Sequence, residues 1–196
     1  MGVYKLSTAG GLATPRTNYS SFLAGNPAYV IPNSYESIAT VTVGGGGAAN
    51  IEFTSIPATY THLQIRGIGR STSGECDIKM QLNGDTGSNY AYHRIYGAGS
   101  VGADGSSSQT TMFYCGRLDA GASIFSANII DILDYTNTNK NTTVRALMGF
   151  DSTYGYVSLG SGLWMNTNAV TSIKLIPHSN NFAQYSQFAL YGIKGA

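Results

Sequence analysis

Alternation of apolar and polar residues is clearest in residues 60–85, YTHLQIRGIGRSTSGECDIKMQLNGD. Within residues 75–82, Cys, Ile, Met and Leu occupy every second position, and Glu, Asp, Lys and Gln occupy the positions between them. This period of two is typical of a strand with one buried face. Leu63 and Ile65 share a face in the same way, before a Ser/Thr/Gly run interrupts the pattern. The stretch therefore predicts two strands joined as a hairpin.

Further short runs with strand character recur along the chain, separated by residues that favour turns. They are residues 35–43, 51–54, 90–96, 112–118, 123–135, 143–150, 156–165, 170–176 and 186–193. About nine or ten short strands without crossover helices predict antiparallel rather than parallel sheets. We therefore expect an all-β protein in which residues 35–196 form a two-layer antiparallel sandwich of jelly-roll type.

Residues 1–34 show no sustained period and are rich in Gly and Ser, with three prolines. A purely solvated tail would contain fewer large apolar residues, so we expect an extended anchoring arm. Its candidate partner-binding residues are Tyr4, Leu6, Leu12, Arg16, Tyr19, Phe22, Leu23 and Tyr29. The pattern leaves open whether the arm docks on another protein or folds back over its own sandwich.

Tyrosines supply a second candidate surface, for a ligand or for a partner protein. Tyr92, Tyr96, Tyr154 and Tyr156 combine large apolar rings with polar tips, which suits stacking on sugar rings or packing against another protein. Between them lie residues 97–109, GAGSVGADGSSSQ, which predict a low-complexity loop. Because this loop is too long for a simple turn, we expect it to project outward or to become ordered against a neighbour.

The charge content narrows the range of partners. Charged residues make up only 11% of the chain and the net charge is +1, so no general attraction to nucleic acid or to an anionic membrane is expected. No apolar run approaches the roughly eighteen residues of a membrane helix, and the first residues lack the apolar core of a secretory signal. We expect neither nucleic-acid binding nor membrane insertion, and production in the cytoplasm.

Motifs for catalysis or metal binding are missing from the sequence. The three histidines lie in separate segments, no pair of acids has a spacing that indicates glycoside hydrolysis, and no GxSxG motif occurs. We therefore expect no enzyme, no cofactor and no metal site. Cys76 and Cys115 lack CxxC spacing and are expected to be buried free thiols, unless adjacent strands allow a disulfide. Asp131, between Ile130 and Ile132, should face away from both and need a hydrogen-bond partner.

Two segments carry a resemblance. Residues 55–66, SIPATYTHLQIR, and residues 186–195, SQFALYGIKG, resemble recurring segments of small structural proteins of tailed bacteriophages. The likeness extends over most of residues 35–195, and residues 1–34 are similar to the anchoring arms of such proteins. These motifs belong to a scaffold and transfer no catalytic residue.

The resemblance implies a non-enzymatic virion structural protein that is assembled in the bacterial cytoplasm. It would be anchored by its arm and display its sandwich as a head decoration (cement) protein or a short tail-fibre module. The implied partners are other copies of the chain, with a trimer expected, and other virion proteins. An alternative function is a module that recognises host surface glycans through loop tyrosines and asparagines; a depolymerase-like hydrolase is the least supported reading.

Overall fold

The computed structural model describes residues 34–151 and 155–195, and every regular element in these ranges is a strand. The twelve strands described are β1 (Tyr35–Thr42), β2 (Ile51–Phe53), β3 (His62–Gly69), β4 (Cys76–Leu82), β5 (Tyr90–Gly97), β6 (Val101–Gln109), β7 (Met112–Leu118), β8 (Ser126–Leu133), β9 (Thr142–Phe150), β10 (Tyr156–Trp164), β11 (Ile173–Pro177) and β12 (Gln187–Ile193). The predicted all-β class is confirmed. Within the described ranges, no helix is long and apolar enough to cross a membrane.

The strands form two antiparallel sheets that pack against each other. The large sheet has eight strands in the order β1-β12-β3-β8-β9-β10-β5-β6, and the small sheet has four in the order β2-β11-β4-β7. Eight of these strands reproduce the order of a jelly roll, with β1-β12-β3-β8 in one layer and β2-β11-β4-β7 in the other. The chain passes from layer to layer at nearly every connection of this eight-strand unit, so the predicted sandwich of jelly-roll type is confirmed.

The remaining four strands are two hairpins inserted into connections of the jelly roll. Hairpin β5–β6 lies between β4 and β7 in sequence, and hairpin β9–β10 lies between β8 and β11. Both hairpins add to the same edge of the large sheet, where β9 pairs with β8 and β10 pairs with β5. The large sheet is therefore twice as wide as the small one.

The core follows directly from the alternation along each strand. In β4 all four apolar residues are buried while the intervening residues are half-exposed, and buried positions alternate with more exposed ones in the same way along β8 and β9. The largest fully buried side chains include Trp164, Tyr90, Tyr135, Phe182 and Phe188. Each buried aliphatic or aromatic side chain contributes about 1.5–3 kcal/mol relative to its exposed state, so this shared interior is the main source of stability.

The two segments that resemble phage structural proteins lie side by side in the large sheet. Strand β12 pairs with β3 along its whole length, and Gly67 stands opposite Phe188. A β-carbon on Gly67 would lie 2.2 Å from the Phe188 ring, and one on Gly192 would lie 2.3 Å from the ring of Tyr60. Each glycine therefore provides the space that the opposite aromatic ring occupies, Phe188 at Gly67 and Tyr60 at Gly192.

Two predictions about local connection are wrong. Residues 60–85 do not form a hairpin, because β3 belongs to the large sheet and β4 to the small sheet. Residues 97–109 are not a loop, because Val101–Gln109 forms strand β6, paired with β5. Alternation defines which face of a strand is buried but not which sheet the strand joins, and pairing with β5 overrides the low strand propensity of Gly and Ser.

The two cysteines are buried and free, as expected. Their strands β4 and β7 are neighbours, but Cys76 pairs with Leu118 and not with Cys115. Three residues along a strand correspond to about 10 Å, well beyond the separation of about 7 Å that a disulfide can bridge. Burial raises the pKa of the Cys115 thiol far above its usual value, which keeps this thiol protonated and unreactive.

Candidate functional site

The outer face of the large sheet, opposite to the core, carries a continuous set of aliphatic side chains. Ile129 of β8, Leu147 of β9, Leu159 of β10 and Ile95 of β5 stand side by side in one cross-strand row. We call these four residues the aliphatic row. Their exposed fractions lie between 36% and 59%, although strand residues that face water are normally polar.

Small residues form the next row on the same face, two positions along each strand. Ala127, Gly149, Val157 and Gly97 occupy this row on β8, β9, β10 and β5, and we call them the small-residue row. Only Val157 is large in this row. The face therefore consists of a raised line of aliphatic side chains beside a shallower line, which edge strand β6 extends with Val101.

Open grooves run along both sides of the aliphatic row. One groove, of about 780 Å³, runs along the small-residue row and reaches Asp151 beyond the end of β9. The other, of about 650 Å³, lies between Ile95 and Leu159 on one side and Arg145 on the other. Together with Val101 and Val157, the aliphatic row exposes on the order of 500 Å² of apolar surface, near the upper end for a patch on an ordinary monomer.

Polar residues border the aliphatic row on its other side. Asp131 of β8 and Arg145 of β9 are direct cross-strand neighbours. As predicted, Asp131 faces away from the core and has a hydrogen-bond partner, since the Gln64 side-chain amide donates to it at 2.6 Å. The Arg145 guanidinium donates to the hydroxyl of Ser161. This border is balanced in charge and limits the apolar patch.

Arg94 organises a second cluster, on the inner side of the inserted hairpin β5–β6. Its guanidinium donates to the Asp104 carboxylate at 2.9–3.1 Å and to the Tyr156 hydroxyl at 2.6 Å. It also lies 3.6 Å from the ring centroid of Tyr114 and 3.6 Å from the Asp77 carboxylate on β4. Burial raises the pKa of Tyr114 to about 12. The cluster joins hairpin β5–β6 to the small sheet through a buried cation.

The predicted tyrosine surface is largely turned inward in the described residues. Tyr156 is only 8% exposed and stacks between Phe150 and Tyr96, with ring centroids 5.8 and 6.1 Å away. Tyr92 is half-buried and packs edge-on against Tyr114 at 5.2 Å. Burial raises the pKa of Tyr156 above its ordinary value. The rings of Tyr92, Tyr96 and Tyr156 therefore pack between the two sheets and do not form an open surface for a ligand.

The remaining candidate residues lie outside the described ranges. They are Tyr154 and the arm residues Tyr4, Leu6, Leu12, Arg16, Tyr19, Phe22, Leu23 and Tyr29. A role for these residues in partner binding, and the division into an arm (residues 1–34) and a sandwich (residues 35–196), therefore stay predictions.

The described residues do not assemble a metal centre. No group of three or more His, Cys, Asp or Glu side chains in these ranges is placed to hold a metal ion. His62 instead accepts a hydrogen bond from the backbone N–H of Asp134 at 2.9 Å, and His178 packs on the ring of Phe113 at 5.1 Å. These two histidines have structural contacts in separate parts of the sandwich.

Comparison with models of known protein families and with curated protein sequences finds no match for this chain.

Sequence reasoning missed the apolar outer face, although a signal for it was present. In β8 and β9 both alternation phases contain aliphatic residues: Ile129 and Leu147 point outward while Ile130 and Met148 point inward. A strand with apolar residues on both faces indicates that both faces are covered. The missing information was which strands stand side by side, because only their pairing makes isolated aliphatic residues a continuous surface.

Proposed function

We propose that this chain is a non-enzymatic structural subunit of a tailed bacteriophage particle. Residues 1–34 anchor it to the particle, and the jelly-roll sandwich is displayed outward as a head decoration protein or a short tail-fibre module. Its partners are other virion proteins and other copies of itself, and it is assembled in the bacterial cytoplasm.

The uncovered apolar face of the large sheet carries this proposal. A patch that combines Leu147, Leu159 and Ile95 on a flat sheet is costly to leave in water and typically marks a protein–protein contact. The resemblance of residues 55–66 and 186–195 to phage structural proteins supports the same conclusion, and these two segments meet where β3 pairs with β12. A scaffold with a docking face suits assembly into a larger particle.

The test is incorporation into particles. The chain, and a variant lacking residues 2–30, would each be produced during infection as the only copy of the protein, and purified particles would be analysed by quantitative mass spectrometry. We expect the full chain at a fixed copy number per particle and the shortened chain to fold but to be absent from particles. Purified particles that contain no full-length chain would overturn the virion proposal, whereas equal incorporation of both forms would overturn the anchoring role of the arm.

A further inference from the structure

We propose that the outer face of β8, β9, β10 and β5 is a two-fold interface, at which the same face of a second copy of this chain docks. This interface specifies a partner and a geometry that the virion proposal does not. It does not depend on the virion proposal.

The first argument is a match of side-chain size within each strand. On β9, Leu147 of the aliphatic row and Gly149 of the small-residue row stand two positions apart on the same face. On β8 the corresponding pair is Ile129 and Ala127, and on β5 it is Ile95 and Gly97. Large and small residues thus alternate in the same order on three strands.

A two-fold axis that runs across the strands, midway between the two rows, brings the aliphatic row of each copy over the small-residue row of the other. It places β9 of one copy antiparallel over β9 of the other and brings Leu147 of each copy over Gly149 of its partner. Ile129 then faces Ala127 and Ile95 faces Gly97, while Leu159 faces Val157, the one pair in which both side chains are large. Two sheets that stack at about 10 Å are filled by side chains from both faces, and large-over-small contacts fill that space without overlap.

The alternative two-fold axis, parallel to the strands, does not have this property. It would place the aliphatic rows over each other and the small-residue rows over each other. The first contact would be overpacked and the second would leave a void, and both cost stability. The alternation of large and small side chains therefore favours the axis that runs across the strands, which places β9 of one copy antiparallel to β9 of the other.

Charge complementarity provides a second, independent argument. Arg145 and Asp151 lie on the same strand line, three residues on either side of Met148, and the axis passes at the level of Met148. The rotation therefore brings Arg145 of each copy opposite Asp151 of the other. Neither side chain forms an ion pair with another described residue.

The size of the face is sufficient for such a contact. A stable interface buries about 800 Å² on each partner. The apolar patch supplies on the order of 500 Å² of this area. The border of Asp131, Arg145, Ser161 and His93 extends the face beyond the patch. An isologous contact of this kind joins copies in pairs, so it predicts an even number of subunits rather than the trimer expected from the sequence.

The full chain should be examined by sedimentation velocity over a range of dilutions and by native mass spectrometry. We expect a dimer that dissociates on dilution. Leu147→Glu and Ile95→Glu should each raise its dissociation constant by at least about 100-fold, because each change acts twice in a two-fold interface. Leu133→Glu is the matched control, because Leu133 lies on the same face of β8, is 40% exposed and is outside the two rows. The dissociation constant of the Leu133→Glu dimer should stay within about threefold of the wild-type value.

Gly97→Leu distinguishes shape-complementary packing from non-specific apolar association. A β-carbon at Gly97 meets only Val157, at 3.7 Å, so the monomer accommodates a side chain there. Non-specific apolar association would be strengthened by the added leucine, whereas the proposed packing of Ile95 onto Gly97 would be blocked. We expect loss of the dimer with an unchanged circular dichroism spectrum and melting temperature.

A charge exchange tests the orientation. Arg145→Asp and Asp151→Arg should each weaken the dimer about tenfold, and the double variant should recover most of the loss because each copy then offers the opposite pair. Several results would overturn the proposal: a trimer, a dimer insensitive to Leu147→Glu, or no recovery in the double variant. A monomer at all concentrations would do so too.

Discussion

The outer face of the large sheet has two halves of opposite chemistry. Over β1, β12 and β3 it is mostly polar, with Ile68 as an exposed apolar exception. Tyr35 donates to Gln64 at 2.6 Å, and Arg66 donates to the same Gln64 oxygen at 2.8 Å. Over β9, β10 and β5 the same face carries exposed aliphatic residues such as Leu147 and Leu159. Both halves are equally regular as sheet, so the requirements of folding do not explain the difference.

The division follows the topology. The polar half belongs to the jelly roll, whereas most of the apolar half belongs to the two inserted hairpins. A jelly roll is complete with eight strands in two layers, so the hairpins widen one sheet, with their inner faces buried in the core and their outer faces exposed. Function, in this view, lies on a graft to the scaffold. Changes to exposed residues of the apolar half should therefore affect association, whereas changes to buried residues of either half should affect stability.

The largest effect is expected in the jelly-roll half. Phe188→Ala removes a fully buried ring that fills the space beside Gly67 and should lower the free energy of unfolding by about 3–5 kcal/mol. Urea denaturation followed by fluorescence measures this. Val157→Ala, at a 57% exposed site on an inserted hairpin, is the control and should cost less than about 0.5 kcal/mol. Similar losses in both variants would mean that Val157 contributes to the fold as a buried residue does.

An intermediate effect is expected at the junction between hairpin β5–β6 and the small sheet. Arg94→Met leaves Asp104 without its partner, and the Arg94 side chain is only 11% exposed. Because Asp104 itself is 40% exposed, the loss should be about 1–3 kcal/mol, below that of a fully buried pair. Arg66→Met, at an exposed site of the polar half, should cost less than about 1 kcal/mol. A loss at Arg94 no larger than that at Arg66 would contradict a structural role for the cluster.

A smaller, pH-dependent effect is expected at the loop that leads into β5. Partial burial raises the pKa of Asp85, but hydrogen bonds from Asn89, Trp164, the Gly87 backbone and Asn166 outweigh it and hold the pKa below its ordinary value. The folded protein therefore binds the proton less readily than the unfolded chain. This difference stabilises the folded protein at pH values above the ordinary carboxyl pKa. The stabilisation is lost as the pH falls through the lowered pKa of Asp85.

Asp85→Asn should cost about 1 kcal/mol near neutral pH and flatten the stability profile between about pH 5 and pH 3. The readout is direct, because the only tryptophan of the chain, Trp164, donates its indole N–H to Asp85 at 2.7 Å. The wild-type tryptophan emission should shift over the same pH range as the stability. A profile that is equally steep in Asp85→Asn would rule out this carboxylate as the source.

The smallest effect is expected from the outer face when association is absent. At concentrations low enough to keep the chain monomeric, Leu147→Ala should change the free energy of unfolding by less than about 0.5 kcal/mol. Its sequence neighbour Met148, which is 2% exposed and points inward, is the matched control and should cost about 2 kcal/mol or more when changed to Ala. Equal costs would mean that Leu147 serves the fold rather than a partner.

The sequence predicted the parts of this fold that depend on local alternation. The burial of Cys76, Ile78, Met80 and Leu82 and the outward position of Asp131 follow from a period of two, and the lack of CxxC spacing predicted the free thiols. Alternation also indicated the sandwich class. It did not predict that β3 and β4 belong to different sheets, because both strands have the same pattern whichever sheet they join.

Tertiary pairing decided the features that the sequence did not reveal. Strand β6, with its Gly and Ser residues, forms because β5 offers a partner edge. The aliphatic row exists only because β8, β9, β10 and β5 are neighbours, and β5 is distant from the other three in sequence. Tyr156 was expected at the surface, but its neighbours Phe150 and Tyr96 enclose it within the sandwich.

The position of β12 between β1 and β3 also determines how the protein acquires its structure. Thr42 and Gln187 meet across the β1–β12 pair although they are 145 residues apart in sequence. During synthesis, β1 and β3 must therefore wait with unpaired edges until β12 leaves the ribosome, whereas the consecutive strands β8, β9 and β10 can pair early. Such distant pairing places folding in the range of milliseconds to seconds, and the unpaired edges are exposed to aggregation during that interval.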